Sequence, residues 1–310
     1  MVLIVTSCTG RKRFETPPHL DVSNLPMGNL KMVSEKWVAS CKTEVTLYPP
    51  KRLYIGRPMV DARRACSLAN SDLNIISAGL GLISDHNRIP SYNLTVQKQS
   101  PHSIQTKIIE PIEPKQWWEY LNIAQQKKNP VANLVSNNKG QLVLIACPEN
   151  YAKLIEDDLL TLEKSDFERV RIIGPKTYEN FPKQIQKIIL PYDNNFDGPD
   201  SPIPGTRTDF AQRALLHFVK EVLNRQTQQK DLDFHFNYIR NLMKEMRPPK
   251  QIARTTMNDD QIVLIIKRCW GRAEGKSGKM LRVLRDQENV ACEQSRFAKL
   301  FKIARERYNL

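Results

Sequence analysis

NIISAGLGLISDHNRIPSYNLTV, residues Asn74–Val96, begins as an apolar run, passes through two glycines and continues as a polar segment. A short apolar, β-branched run closed by small residues reads as a strand buried on both faces. Four other runs share that character: VLIVTSC (Val2–Cys8), QLVLIAC (Gln141–Cys147), VRIIG (Val170–Gly174) and QKIILP (Gln186–Pro191). Helical patterns lie between them, over Val60–Asn70, Lys115–Lys127, Glu149–Lys164 and Thr208–Arg225. Strands alternating with helices predict an α/β fold whose mostly parallel sheet is flanked by helices. The residues after Gly81 read as a sharply turned, irregular loop over the end of the second strand.

The chain has 310 residues, enough for two domains with separate cores. Asp193–Thr208, DNNFDGPDSPIPGTRT, reads as a long loop. Asn224–Asp231, NRQTQQKD, is polar throughout and reads as a hinge, which places an α/β domain over 1–226 and an all-α domain over 231–310.

Lys and Arg number 47 against 33 Asp and Glu, a formal charge of +14 that favours a polyanionic partner, DNA or RNA first. Residues 231–310 hold 17 of those cations and 10 of the acids, so the excess is concentrated there. In Ser277–Tyr308, Met280, Leu281 and Leu284 form one apolar face, and Ala291, Phe297, Leu300, Phe301 and Ile303 a second. That pattern predicts two short helices in a helix-turn-helix-like unit, with Arg282, Arg285, Arg296, Lys299, Lys302, Arg305 and Arg307 facing nucleic acid. A helical packing module with merely solvated cations, or a dimerising one, fits the same residues.

No stretch approaches the ~20 apolar residues of a membrane span, and MVLIVTSC is short for a signal peptide, so a cytoplasmic protein without a membrane partner is expected. No obligate protein partner is indicated. Cys8, Cys41, Cys66, Cys147, Cys269 and Cys292 form neither CxxC pairs nor metal spacings, so reduced thiols are expected, with no metal and no cofactor. A metal-dependent nuclease is disfavoured because no P-D…(D/E)-x-K arrangement occurs.

In parallel α/β sheets ligands bind at the carboxyl ends of strands. At the first such end Ser7 and Cys8 are positioned to touch a ligand, and Arg11, Lys12 and Arg13 to hold phosphate. At the second, Gly79 and Gly81 would offer close backbone approach, with His86 as a proton carrier and Tyr92 and Asn93 as base and water contacts. In PPKRLYIGR, Tyr54 could stack on a base while Arg52 or Arg57 pairs with phosphate. An ordinary turn with surface cations, a buried tyrosine and an exposed histidine are the bland readings of the same residues.

The four motifs VTSCTGRK, PKRLYIG, ISAGLGLI and IPSYNLT resemble those of a bacterial nucleobase-handling family, with Ser-Cys-x-x-Lys/Arg and Ser-Ala-x-x-Gly-Leu strand ends and a Pro-x-Tyr-Asp segment. The likeness covers about residues 1–110 by motif and 275–305 by pattern. It implies a uracil-DNA-glycosylase-like fold and a phage-defence DNA glycosylase that excises glucosylated hydroxymethylcytosine, leaving abasic sites. This chain departs at Asn93, where the family carries Asp. Cleaving an N-glycosidic bond calls for nearby negative charge and a positioned water. Either Asn93 then only orients the water, or an acid such as Asp85 or Asp61 supplies the charge. A base transglycosylase or nucleoside deoxyribosyltransferase, and a non-catalytic sensor of modified DNA, are the competing expectations.

Overall fold

A computed structural model describes residues 1–223, 231–250 and 253–310. Two compact units divide the chain, Met1–Pro249 and Lys250–Leu310.

In the first unit five strands form one sheet in the order β3-β2-β1-β4-β5, with β1 Val2–Ser7, β2 Leu73–Ser77, β3 Gly81–Ser84, β4 Leu142–Ala146 and β5 Val170–Ile173. β2, β1, β4 and β5 are parallel, and β3 lies antiparallel at the edge. Every residue of β4 and β5 is buried, as the continuous apolar runs require when helices cover both faces. β1 is the central strand, and the sheet grows one way to β2 and the other way to β4. The carboxyl ends of β1 and β4 therefore flank the switch point, where α/β sheets open a crevice.

Four of the five expected strands form. The fifth does not: Gln186–Ile188 end a helix over Lys183–Ile188, started by Pro182, because Ile185 and Ile188 recur at helical spacing and are buried, and Ile189 makes an isolated parallel bridge to Ile172 of β5. The segment after the two glycines is also more regular than expected. Gly81 takes φ +73°, the left-handed turn open to glycine, and Gly81–Ser84 folds back on β2 with Asn74 opposite Ser84. Glu149–Lys164 breaks into helices over Glu149–Leu154 and Glu156–Leu160, with a third starting at Lys164. The last expected helix forms over Phe210–His217 and widens into a π-helix over Phe218–Leu223; Arg225 lies outside the described residues.

The expected hinge at 224–231 lies outside the described residues except for Asp231. The expected domain boundary shifts, because the helix Leu232–Glu245 buries Ile239 and Met243 in the core of the first unit. Under the loop Asp193–Thr208, Arg213 of the following helix is fully buried and binds Asp197 (2.5 Å), Asp209 (2.6 Å) and the Ile203 carbonyl (2.8 Å). The loop is thus fixed by a fully paired guanidinium together with Phe196, which is fully buried in the core.

The second unit packs helices Asp259–Arg268, Ser277–Arg282 and Gln294–Tyr308 around Ile262, Ile266, Met280, Leu284, Phe297 and Leu300. A two-residue parallel pairing joins Thr255–Thr256 to Val290–Ala291, so the unit is not wholly helical as expected. Several of its cations are used internally. Arg296 pairs with Asp259 and Arg307 with Asp260, while Arg285 donates to the Cys292 carbonyl. Arg282, Lys299 and Arg305 are exposed. Among the described residues no helix is long and apolar enough to cross a membrane.

Candidate functional site

β1 delivers Ser7 and Cys8 to the switch point, and the next residues turn back along the Leu53–Ile55 segment. Lys12 pairs with Tyr54 in an antiparallel bridge. Extended backbone alternates sides, so Arg11 and Arg13 face solvent while Lys12 turns inward. Its ammonium lies 4.1 Å from the centroid of the Tyr92 ring and 6.0 Å from that of Tyr54. Burial lowers the Lys12 pKa, and the charge that partly offsets this is Cys8.

A continuous hydroxyl network lies beneath Lys12. Ser77 Oγ is 2.6 Å and Tyr54 OH 2.8 Å from Tyr92 OH, and the Leu80 N–H donates to Ser77 Oγ at 3.0 Å. Tyr92 OH donates to Cys8 Sγ at 3.6 Å, and Tyr151 OH lies 3.1 Å from the same sulfur. Tyr54 and Tyr92 are essentially fully buried, and burial raises the pKa of all three phenols, keeping them neutral donors.

The glycines of the opening stretch act here through shape. A Cβ on Gly79 would fall 2.7 Å from the Tyr92 ring, so only glycine lets that ring close on the turn. The carbonyls of Ala78 and Gly79 accept from the indoles of Trp117 (2.7 Å) and Trp37 (2.6 Å). Both glycines are buried, and the expectation that they contact a base directly is corrected. So is the expectation of open stacking faces on Tyr54 and Tyr92, whose rings belong to the core while their hydroxyls serve the site.

A second cluster adjoins the same end of the sheet. The helix Arg57–Ala69 leads into β2, so its first turn lies at the carboxyl ends of the strands. Arg57 there pairs with Asp61 at 3.3 Å and reaches Asp209 at 3.9 Å. One turn beyond Asp209, Gln212 donates to Thr6 Oγ1 at 2.9 Å and Ser7 Oγ at 3.3 Å, tying this cluster to β1. Burial raises the pKa of Asp61 despite the opposing Arg57, and the negative charge of Asp209 adds to the rise. Arg11 packs against Gly56 beside them.

No family model, curated protein or solved structure gives a significant match to this chain.

The two residues expected to be catalytic are elsewhere. Asn93 adjoins Tyr92 but faces the other way, donating to Asp21 Oδ2 at 3.0 Å, and its backbone pairs with Leu20 and Val22. Asp85 lies past the end of β3, its N–H bonded to the Leu73 carbonyl at the amino end of β2. Four residues of strand separate Leu73 from Ser77, about 13 Å at the usual rise. Asp85 pairs there with Arg63 at 3.1 Å, and exposed His86 with Asp72 at 3.1 Å, around an open cleft of about 490 Å³. Arg52 lies 5.9 Å from the centroid of Phe14, which stacks on Tyr48. Among the described residues no three His, Cys, Asp or Glu side chains gather into a metal site.

Sequence reasoning missed Ser77, Tyr151 and Trp37. Ser77 sat in plain view at the end of β2. Tyr151 occupies the first turn after β4, the position where the carboxyl-end rule directs attention. Trp37 lies on the helix Leu30–Thr43, whose signal was the Asn29 cap and buried residues at 30, 33, 34, 37 and 38.

Proposed function

We propose that the protein cleaves the N-glycosidic bond of a modified base in DNA, glucosylated hydroxymethylcytosine being the first candidate, as an anti-phage DNA glycosylase. The reaction centre lies at the carboxyl ends of β1 and β4, in a fold read as uracil-DNA-glycosylase-like. The observation that carries the reading is Asp61: a buried carboxylate with a raised pKa paired with Arg57, at the end of the sheet where α/β ligands bind. An oxocarbenium-like transition state needs such a carboxylate, either to balance developing charge or to take a proton from water. Arg11 and Arg57 suit a DNA phosphate, and the target nucleotide must leave the stack to reach the site. Lys250–Leu310 is read as a helix-turn-helix-like module gripping the duplex through Arg282, Lys299 and Arg305, the cations its own acids leave exposed.

Purified protein would be incubated in EDTA with duplexes carrying cytosine, hydroxymethylcytosine or glucosyl-hydroxymethylcytosine, then treated with alkali, with released base read by mass spectrometry. Alkali-dependent breaks and free modified base are expected. Asp61→Asn should slow release by roughly 10²–10⁴-fold, the usual contribution of a proton-transferring side chain, whereas Asp85→Asn and Asn93→Ala keep most activity. Bound but intact DNA would overturn the reading in favour of a modified-base sensor.

A further inference from the structure

We infer that Cys8 is a nucleophile: a thiol whose sulfur is held as a hydrogen-bond acceptor and placed beside a cation, poised to attack an electrophilic carbon. Three observations converge on this one atom.

The first is the direction of the hydroxyl network. Tyr92 OH contacts Ser77, Tyr54 and Cys8, but has one proton to give. With Ser77 and Tyr54 both donating to the Tyr92 oxygen, that proton goes to Sγ. Tyr151 can donate to the same sulfur. The sulfur then accepts two phenolic bonds, the solvation a thiolate requires and a thiol scarcely uses.

The second is Lys12. Its ammonium is drawn into this pocket of neutral hydroxyls, against the cost of desolvation, and the negative charge that favours it there is Cys8 rather than a carboxylate. A desolvated cation without an acid partner is expensive, so the site is organised for an anion: the thiolate, or the charge that develops when it reacts. The third is contrast with the other five cysteines. Cys66, Cys147, Cys269 and Cys292 are buried, and burial pushes the thiols of Cys41, Cys66 and Cys147 up to about 12. Cys8 and Cys41 are both half-exposed, but Cys8 lies at the switch point with two phenol hydroxyls on its sulfur.

For the reaction, the inference rests on the glycosidic reading and deepens it. Cys8 Sγ attacks C1′ as a thiolate, the S–C1′ bond forms, and the C1′–N bond breaks. The base departs with the electron pair and takes a proton from the Lys12 ammonium. Water then attacks C1′ and displaces the sulfur as Asp61 takes its proton, which solvent returns to the Lys12 amine. Thiolate and ammonium are restored, and the sugar ends with a hydroxyl. A second base in place of water would give exchange.

The native protein would be treated with iodoacetamide from pH 6 to 9, and the alkylation rate at each cysteine read by peptide mass spectrometry. Cys8 should react at least about tenfold faster than Cys41 at pH 7, with the rate dropping severalfold in Lys12→Met and in Tyr92→Phe. A Cys8 rate no greater than that of Cys41, or a rate indifferent to Lys12→Met, overturns the inference. In parallel, denaturing mass spectrometry after mixing with the glucosyl-hydroxymethylcytosine duplex should show a DNA adduct on wild-type protein and none on Cys8→Ser. Base release that persists in Cys8→Ser overturns the covalent step while leaving the glycosylase reading standing. Fast, Lys12-dependent alkylation without any base release overturns that reading while leaving the nucleophile.

Discussion

The two ends of β2 carry polar residues of much the same types, yet the protein treats them oppositely. At the carboxyl end Ser77, Tyr54, Tyr92 and Lys12 are drawn into the interior and bonded to one another around Cys8. At the amino end Asp72 and His86 are about three-quarters exposed, and Asp85 and Arg63 pair at the edge of an open cleft. Polar groups that fold inward must have every bond provided by the protein, whereas exposed ones are served by water at little cost. The carboxyl end is therefore where the protein itself satisfies its polar groups. The sharpest way to break the comparison is truncation there. Tyr92→Ala removes a fully buried ring from between Gly79, Trp37 and Lys12, and should cost about 3–5 kcal/mol in denaturant melts. Tyr92→Phe keeps the ring but leaves Ser77 and Tyr54 without their shared acceptor, so a loss of about 1–3 kcal/mol is expected. A loss below about 0.5 kcal/mol for Tyr92→Phe, on the order of a neutral surface change, would mean the network is not formed in solution.

Asn93 sharpens the contrast from one residue away. Hydrogen bonds from Ser23 and Asn93 overcome the opposing effect of burial and hold the Asp21 carboxyl down to about 2 from an ordinary 3.8. A folded-state pKa below the unfolded one stabilises the protein above the unfolded value, and that stability is lost as pH falls from about 4 to about 2. Asn93→Ala removes one of those bonds, so Asp21 moves back towards 3.8. The variant should be less stable than wild type at about pH 5–7, and the gap should close as pH approaches about 2, where both carboxyls are protonated. Urea melts across that range check it. A gap independent of pH would place the role of Asn93 in packing rather than in its bond to Asp21.

Much of the sheet was legible because buried parallel strands are written as unbroken apolar runs; β1, β2, β4 and β5 were read within a residue or two. β3 was not, since GLIS is short and only the left-handed turn at Gly81 commits it to pairing. QKIILP misled for the opposite reason: a short apolar run fits a buried strand and a single helical turn equally, and Pro182 tips it to helix. For the site, strand ends were located correctly, but side-chain direction was not recoverable. Tyr92 and Asn93 are neighbours in sequence and face opposite ways, because extended backbone alternates. Asp85 looked adjacent to the glycine turn, but a four-residue antiparallel strand carried it to the other end of the sheet.

The smallest effects belong to that other end, and they decide whether the open cleft does anything at all. Arg63 and Asp85 form a half-buried pair that bridges the helix Arg57–Ala69 to the end of β3, so Asp85→Asn should cost up to about 1 kcal/mol. His86→Ala removes a pair that solvent already screens on both sides and should lie within about 0.5 kcal/mol of wild type. Base release by both variants should stay close to wild type in the assay that inactivates Asp61→Asn. A large activity loss in His86→Ala with unchanged stability would reverse the comparison. It would place chemistry in a cleft formed at the amino ends of the strands, against the rule by which these sheets bind ligands.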